Sequence, residues 1–242
     1  MQGPGMNSMP DITEGDLGDG ALLWNWPETI SHETSRQVLA AYRALHGDVE
    51  LRSNGVRDVV PSYCALALHF DPGRDGADVL RRRAAELIHA AVRDTAAAAA
   101  AAETAADPKS EPAGIEPGGA SRRSVRLPVV YDGEDLQRVA EHAGLDPKGV
   151  VELHSAAWYT VAMIGFRPHF PYLIGMDQRL STPRLETPRT RVAAGSVGIA
   201  GSQTGVYPVD SPGGWNLIGR TDPRLLLPLR PGDTVRFEEV EE

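Results

Sequence analysis

Glycine and proline crowd the C-terminal part of this chain and limit what it can fold into. Between residues 165 and 220, nine glycines and six prolines interrupt short β-prone pieces such as Ser196-Val197-Gly198-Ile199. Both residues disfavour the interior of a helix, and proline is also excluded from the middle of a sheet. This segment therefore excludes a helical bundle and predicts a β-barrel or sandwich of many short strands with long surface loops.

The N-terminal part shows a different pattern, in which strands and helices alternate. The apolar run 21–26 predicts a strand, Ser31 is placed to cap a helix, and residues 56–70 predict one or two further strands. A second amphipathic helix follows, with apolar positions at Leu80, Ala84, Leu87, Ile88 and Ala91. This order predicts a small α/β sandwich with helices on one face of a sheet.

A change of composition separates these two modules. Residues 96–102 are all alanine and can prolong the preceding helix, but Pro, Gly and Glu dominate the stretch that follows. We therefore predict a flexible linker over residues 95–123 and, from its Gly, Asp and Met content, a flexible tail over residues 1–20. The predicted domains are then residues 21–94 and 124–242.

Two further helices are predicted early in the second module, between a strand at 125–131 and a buried strand at 158–164. Gly144 is placed to end the first helix, and Asp146-Pro147 supplies a cap and a first-turn proline for the second. The whole chain is thus predicted to be α+β, with a small α/β sandwich domain followed by a β-barrel domain.

Charge and cysteine content exclude several classes of protein. The net charge is −9, and the acidic excess lies in residues 1–150, where 15 basic side chains face 23 acidic ones. No basic stripe is available for a nucleic-acid backbone. The single cysteine, Cys64, excludes a disulfide within the chain, and no segment has the pattern of a signal peptide or membrane span. We therefore expect a cytoplasmic protein that binds neither nucleic acid nor membrane.

Two segments of the barrel module could carry chemistry. In residues 165–177, prolines stiffen an aromatic loop beside His169 and Asp177, which could wall a binding pocket or merely cap the barrel. Residues 179–191 contain Thr-Pro-Arg twice, and these arginines could clamp a carboxylate or phosphate, or form local ion pairs on a solvated face.

Other motifs exclude specific chemistries. The glycine-rich run 195–205 lacks the spacing of a phosphate-binding loop, a dinucleotide fingerprint or a nucleophile elbow, and fits a hairpin that permits close backbone approach. The histidines lack a metal-ligand spacing, so no metal site is predicted. His154 and His169 flank the buried strand, where either an acid–base or a structural role is open.

Taken together, the motifs of residues 125–242 resemble the B subunit of bacterial 5-oxoprolinase, also described as the KipI-type or allophanate hydrolase subunit 1 family. That family shares the carboxyltransferase C and D subdomains of urea carboxylase. The motifs that carry the resemblance are Gly165-Phe166-x-Pro168-x-Phe170-Pro171-Tyr172-Leu173, Thr187-Pro188-Arg189-Thr190-Arg191-Val192, Ala194-Gly195-Ser196-Val197-Gly198-Ile199-Ala200-Gly201, Gln203-Thr204-Gly205-Val206-Tyr207-Pro208 and Ser211-Pro212-Gly213-Gly214-Trp215-Asn216-Leu217-Ile218-Gly219-Arg220-Thr221.

The resemblance implies a cyclophilin-like fold for the barrel and a place in a heteromeric enzyme. Its partners would be a homologous C subunit, of the KipA or allophanate hydrolase subunit 2 type, and an A subunit of the LamB/YcsF type. With ATP as co-substrate, the complex would open 5-oxoproline to glutamate. The alternatives are a KipI-like inhibitor of a sensor histidine kinase and a subunit of an allophanate or urea carboxyltransferase.

The resemblance also implies candidate residues for the site. We expect His154 or Asp177 to move protons, while contacts to a carboxylate or oxyanion come from backbone amides of the 195–205 turn and from arginine and glutamine side chains. Tyrosine and tryptophan side chains would wall the pocket. The predicted substrate-binding residues are Tyr172, Arg189, Arg191, Gln203, Tyr207, Trp215 and Arg220.

Two positions depart from the family pattern. His169 and Ser202 stand where the family usually has glycine. The added side chain of His169 is expected to narrow the pocket or alter the substrate, so His169 is predicted to determine specificity.

Overall fold

The computed structural model describes residues 10–27, 31–73, 76–102 and 123–241, except for the side chains of residues 99–102. The chain divides into two compact units, Met1–Ala106 and Asp107–Glu242. The boundary falls within the segment for which we predict a linker. Residues 103–122 of that linker and residues 1–9 of the predicted tail lie outside the described residues.

The N-terminal unit contains a four-stranded antiparallel sheet in the order β1-β2-β4-β3. Its elements in chain order are β1 Thr13–Asp16, β2 Ala21–Asn25, α1 His32–Gly47, α2 Val49–Ser53, β3 Val56–Pro61, β4 Ala65–Phe70 and α3 Ala77–Ala102. Apolar residues of α1 and α3, among them Val38, Leu45 and Ile88, are buried in one core with Trp24 and Leu66 of the sheet. This is the predicted alternation of strands and helices.

The structure corrects the predicted tail at residues 13–16, which form β1 and pair along their length with β2. Arg81 of α3 forms ion pairs with Glu14 and Asp16, and the indole of Trp24 donates to Glu14 at 3.1 Å. The polar sequence Thr-Glu-Gly-Asp has no strand signal of its own. It pairs with the neighbouring strand β2, but its ion-pair partner Arg81 is distant in sequence, so local pattern does not predict it.

Both long helices of this unit begin or end as their sequences suggest. The hydroxyl of Ser31 accepts a hydrogen bond from the backbone amide of Thr34 at 3.0 Å, as expected of a cap. Helix α3 continues through the alanine run to Ala102, because alanine has the highest helix propensity. The predicted linker is therefore helical over residues 95–102.

The C-terminal unit is built on a seven-stranded sheet in the order β12-β9-β10-β7-β6-β13-β5, with β8 and β11 forming a separate pair. The strands are β5 Ser124–Val129, β6 Tyr159–Ile164, β7 Pro171–Ile174, β8 Arg189–Val192, β9 Ser196–Ala200, β10 Gln203–Val206, β11 Ser211–Gly213, β12 Asn216–Arg220 and β13 Thr234–Glu239. The helices are α4 Leu136–Ala143 and α5 Pro147–Ala156, with short 3-10 turns at Gln178–Leu180 and Pro223–Leu226.

The two ends of this sheet meet, so that it closes into the cyclophilin-like barrel. Val130, just after β5, and Arg220, at the end of β12, exchange backbone hydrogen bonds of 3.0 and 2.9 Å. Closure requires glycine at the seam, because a Cβ on Gly133 would lie 2.4 Å from the carbonyl oxygen of Leu217. Side chains of both barrel helices and of the strands fill the interior.

The predicted turn between α4 and α5 is confirmed. Gly144 ends α4 with a left-handed φ of 66°, and the carboxylate of Asp146 accepts from the Gly149 amide at 2.8 Å at the start of α5. Within the described ranges, every helix is too short or too polar to cross a membrane.

Candidate functional site

One face of the barrel unit carries a cleft of about 260 Å³ that we call the aromatic cleft. Five of the side chains that line it are aromatic, and one is basic: Phe166, Phe170, Tyr172, Tyr207, Trp215 and Arg184. The predicted pocket residues Tyr172, Tyr207 and Trp215 thus come together. They reach the cleft from β7, from the end of β10 and from the start of β12.

Phe170 forms the centre of the aromatic wall. It is 1% exposed, and its ring centroid lies 4.8 Å from that of Tyr172, 5.2 Å from Tyr207 and 5.4 Å from Trp215. The last two contacts are edge-to-face, the arrangement that aromatic quadrupoles favour. Because each ring is fixed by its neighbours, the wall is rigid.

Two glycines let the backbone approach these rings. A Cβ on Gly205 would lie 2.7 Å from the carbonyl oxygen of Pro171 and 3.1 Å from the Trp215 ring. A Cβ on Gly213 would lie 2.3 Å from the hydroxyl of Tyr207. The glycine-rich motifs therefore shape the cleft by leaving room for aromatic side chains.

The phenols of the cleft stay protonated at neutral pH. Burial raises the pKa of Tyr172, and the nearby positive charge of Arg184 opposes it. Burial likewise raises the pKa of Tyr207. A backbone hydrogen bond from Trp215 and the charges of Arg184 and Arg189 act to lower this pKa, but the effect of burial is larger. Both hydroxyls therefore keep a proton that can be donated to a ligand oxygen.

Arg184 is held at the rim of this cleft by the backbone on either side of it. The side-chain amide of Asn216 donates to the carbonyl oxygen of Pro183 at 2.9 Å, and the amide of Leu185 donates to that of Gly214 at 2.8 Å. The guanidinium carbon lies 6.0 Å from the Trp215 ring centroid, within the range of a cation–π contact. No ion pair of Arg184 occurs among residues 10–27, 31–73, 76–102 and 123–241.

Arg189, predicted to bind substrate, is instead held by the protein. Its Nη2 donates to both oxygens of Asp135 at 2.9 and 2.8 Å, and its Nε lies 2.8 Å from Glu134. Burial alone would lower the pKa of Arg189, but the hydrogen bond and charge of Asp135 outweigh it and raise that pKa. Asp135 also accepts from the Leu217 amide at 2.7 Å, so the pair fixes the chain beside Trp215.

Arg191 and Arg220 line a second, wider cleft of about 520 Å³ on the barrel unit. Arg191 pairs with Asp210 at 2.6 Å, and Arg220 pairs with Asp132 at 2.7 Å. The structure therefore does not bring the three predicted arginines into one clamp. Arg189 and Arg191 form local ion pairs, which is the alternative that the sequence left open for residues 179–191.

His154 lies inside the barrel, fully buried and lining neither cleft. Thr204 donates to the Gly198 carbonyl at 3.0 Å, so it accepts from Nε2 of His154 at 2.9 Å, and Nδ1 accepts from the Tyr131 hydroxyl at 2.8 Å. Burial lowers the pKa of His154 to about 3. This neutral, fully bonded imidazole is structural, which argues against the predicted proton transfer.

The other predicted polar residues also lie away from the aromatic cleft. Asp177 binds Arg179 through two hydrogen bonds of 3.0 and 2.6 Å, which lower the pKa of its carboxyl and make it a weak base. His169 is exposed and does not line the cleft, so it does not narrow it. Gln203 and Ser202 lie at the β9–β10 hairpin and line neither cleft.

Arg184 lines the cleft but is not among the predicted substrate-binding residues. Thr-Pro-Arg occurs at 182–184 and again at 187–189, and only the second arginine is among those residues. The motif alone does not distinguish them. The two arginines differ in their contacts, because Asp135 binds Arg189, whereas Arg184 lines the cleft.

Comparison with known proteins places this architecture in a family. The sequence profile of the carboxyltransferase domain, subdomain C and D, matches residues 13–233. The B subunit of 5-oxoprolinase from Bacillus subtilis is 36% identical over 236 residues, which is 93% of this chain and 92% of that protein. The B subunit of 5-oxoprolinase from Escherichia coli O157:H7 is 54% identical over 125 residues, 48% of this chain and 57% of that protein.

Solved structures agree with this placement. The crystal structure of TTHA0988 is 37% identical with a TM-score of 0.68, and the match covers 92% of this chain but only 40% of that one. Kluyveromyces lactis urea carboxylase, 18% identical with a TM-score of 0.63, shares the fold over 98% of this chain and 22% of its own. The chain therefore belongs to the family of 5-oxoprolinase B subunits, within the carboxyltransferase subdomain C and D proteins.

Proposed function

We propose that this chain is a subunit of a heteromeric, ATP-dependent 5-oxoprolinase that opens 5-oxoproline to glutamate. The name shared by its relatives from Bacillus subtilis, Escherichia coli and Haemophilus influenzae supports the activity. Naming as a subunit implies partner chains, and we propose the A and C subunit types described above. The single structural observation that carries the proposal is the aromatic cleft with one guanidinium at its rim.

The cleft suits a small, flat ring with polar edges. Aromatic faces would cover the methylene groups of the lactam ring, and the protonated hydroxyls of Tyr172 and Tyr207 would donate to its carbonyl oxygen. A cleft of about 260 Å³ leaves no room for a large substrate unless the surface opens. The chain's own contribution would thus be to bind and orient the lactam.

The chemistry of an unstrained amide explains a requirement for ATP. Transfer of the γ-phosphoryl group to the lactam oxygen would make the ring carbon a better electrophile. Water would then add to that carbon, and the C–N bond would break with a proton going to nitrogen, which leaves an acyl phosphate. A second water would add to the acyl phosphate carbonyl, and phosphate would leave to give the second carboxylate. Donors aimed at the developing negative charge on oxygen would speed this addition, which is a role for the two phenols.

The proposal is tested with the assembled complex. The chain is co-purified with its A and C subunits, and ADP release is measured with 5-oxoproline, with urea and with allophanate. Release that depends on 5-oxoproline is expected. A full complex that is inactive on 5-oxoproline but active on a urea-derived substrate would favour the second candidate, a carboxyltransferase-type subunit.

The second candidate has support of its own. A putative urea carboxylase of Emericella nidulans is 30% identical over 95 residues, although these are only 8% of that protein. A complex inactive on every substrate, together with tight binding of the chain to a sensor histidine kinase, would instead support the inhibitor alternative.

A further inference from the structure

Arg184 differs from the three arginines that were predicted to bind substrate. Arg189, Arg191 and Arg220 each contact a carboxylate within 2.8 Å, whereas Arg184 has no such contact in the part of the chain that the structure describes. Its side chain is exposed, and its one described contact is with the Trp215 ring. An exposed guanidinium without a carboxylate partner keeps its N–H donors available to an incoming anion.

The backbone of Arg184 is prepared for such a contact. Pro183 restricts the chain just before it, and hydrogen bonds to Asn216 and Gly214 fix the residues on both sides. The guanidinium carbon lies 6.0 Å from the Trp215 ring centroid, and no ion pair of Arg184 occurs among the described residues. Positioning before the ligand arrives lowers the entropy lost on binding.

The charge of the aromatic cleft also favours an anion. None of the described residues that line it is acidic, whereas Asp132 and Glu134 line the second cleft. The field of Arg184 reaches into the cleft, because its charge acts on the hydroxyls of both Tyr172 and Tyr207. An anionic group that enters the cleft would therefore meet one cation, two hydroxyls and no carboxylate.

We propose that Arg184 binds the carboxylate of the substrate and so selects rings that carry a carboxylate over uncharged rings. This inference rests on the proposed function, since it assigns the carboxylate of 5-oxoproline to the rim and its lactam to the aromatic wall. Arg189, which the sequence favours for this contact, is a positioning residue that holds the chain beside Trp215.

The test compares Arg184→Gln with the wild type in the assembled complex. We expect KM for 5-oxoproline to rise about 10- to 100-fold, the effect of losing a charge-assisted pair of hydrogen bonds, with a much smaller change in kcat. Cyclopentanecarboxylate, which has the ring and the carboxylate but no lactam, should inhibit the wild type and lose potency by a similar factor in the variant. Its uncharged amide should inhibit both alike.

Two further variants control this experiment. Arg224→Gln removes an exposed arginine that pairs with Asp222 outside both clefts, and it should leave KM unchanged. Arg184→Lys keeps the charge without the planar fork, so its KM should fall between the wild type and Arg184→Gln. It also tests the site if the glutamine variant fails to assemble.

The outcomes separate this inference from the proposed function. An active complex in which Arg184→Gln leaves KM and inhibition unchanged would overturn the role of Arg184 and leave the function standing. Loss of assembly in both Arg184 variants would also overturn it, in favour of a contact with a partner. A wild-type complex without 5-oxoproline turnover would show that the proposed function is wrong. Binding of cyclopentanecarboxylate to the full chain then tests Arg184 separately: weaker binding in Arg184→Gln would support its role, and unchanged binding would overturn it.

Discussion

At the scale of the residue, backbone conformation explains one departure from the family pattern. His169 has a φ of 67°, in the left-handed region where glycine is favoured, and Phe166 in the same loop has a φ of 63°. The glycine that the resemblance implies at position 169 would therefore meet a backbone need. The exposed imidazole adds strain to the loop without entering the aromatic cleft.

His169→Gly should therefore raise the free energy of unfolding by about 0.5–1 kcal/mol. Glycine relieves the strain of the left-handed backbone, and this gain exceeds the loss that comes from a more flexible unfolded chain. Turnover of 5-oxoproline by the complex should stay the same. The neighbouring Arg167→Gly, where φ is not positive, should lower stability by several tenths of a kcal/mol. Urea unfolding measures both, and a changed KM in His169→Gly would show that the imidazole meets the substrate after all.

At the scale of the element, Asp135 connects three parts of the barrel. It precedes α4, its carboxylate binds Arg189 of β8, and it accepts from the Leu217 amide of β12. Its side chain is 10% exposed and that of Arg189 is 22% exposed, so the pair is shielded from water. Trp215 and Arg184 depend on this junction, because both adjoin the chain that it fixes.

Asp135→Asn should destabilise the protein by about 2 kcal/mol and raise KM for 5-oxoproline, because Arg189 would lose its buried charge partner. The matched control is Asp132→Asn, which breaks the ion pair with Arg220, where both side chains are about half exposed. It should cost at most about 1 kcal/mol. Equal losses of stability in the two variants, measured by urea unfolding, would contradict the role given to Asp135.

At the scale of the whole barrel, the network around His154 connects elements far apart in sequence. It joins Tyr131 after β5 to Thr204 on β10, and the imidazole stacks on Phe237 of β13 at 4.4 Å. The hydroxyl of Tyr159 on β6 donates to the His154 carbonyl at 2.8 Å. Folding thus places a neutral histidine where protonation would break hydrogen bonds.

This network makes stability depend on pH. Burial lowers the pKa of His154 to about 3, so below about pH 6.5 the unfolded chain binds a proton there that the folded chain does not. The free energy of unfolding should therefore decrease as pH falls from 6.5 to 5, by up to about 1.4 kcal/mol per pH unit.

In His154→Gln, the free energy of unfolding measured in urea should depend less steeply on pH. The slope should be smaller by the contribution of His154, because glutamine does not titrate. Part of the slope should remain, since burial also lowers the pKa of His32. An identical slope in wild type and variant would show that His154 is protonated in the fold.

Sequence pattern was sufficient for most of the architecture. Periodicity predicted α1 and α3, and Gly144 and Asp146 predicted the turn between α4 and α5. The density of glycine and proline excluded a helical bundle. Each of these signals acts through neighbours along the chain, so it can be read from the sequence. The resemblance to the family, rather than pattern, identified Tyr172, Tyr207 and Trp215 as candidate pocket residues, and all three line the cleft. Sequence pattern failed at β1, whose sequence is polar and whose ion-pair partner Arg81 lies far along the chain.

The sequence by itself determined that this chain forms a sandwich and a barrel and that Tyr172, Tyr207 and Trp215 are candidate pocket residues. Only the tertiary structure decided which polar side chains meet the cleft. Two arginines in identical Thr-Pro-Arg motifs have different roles, because Asp135 lies within reach of Arg189 and not of Arg184. Charge partners are set by distance in space, and local sequence does not encode that distance.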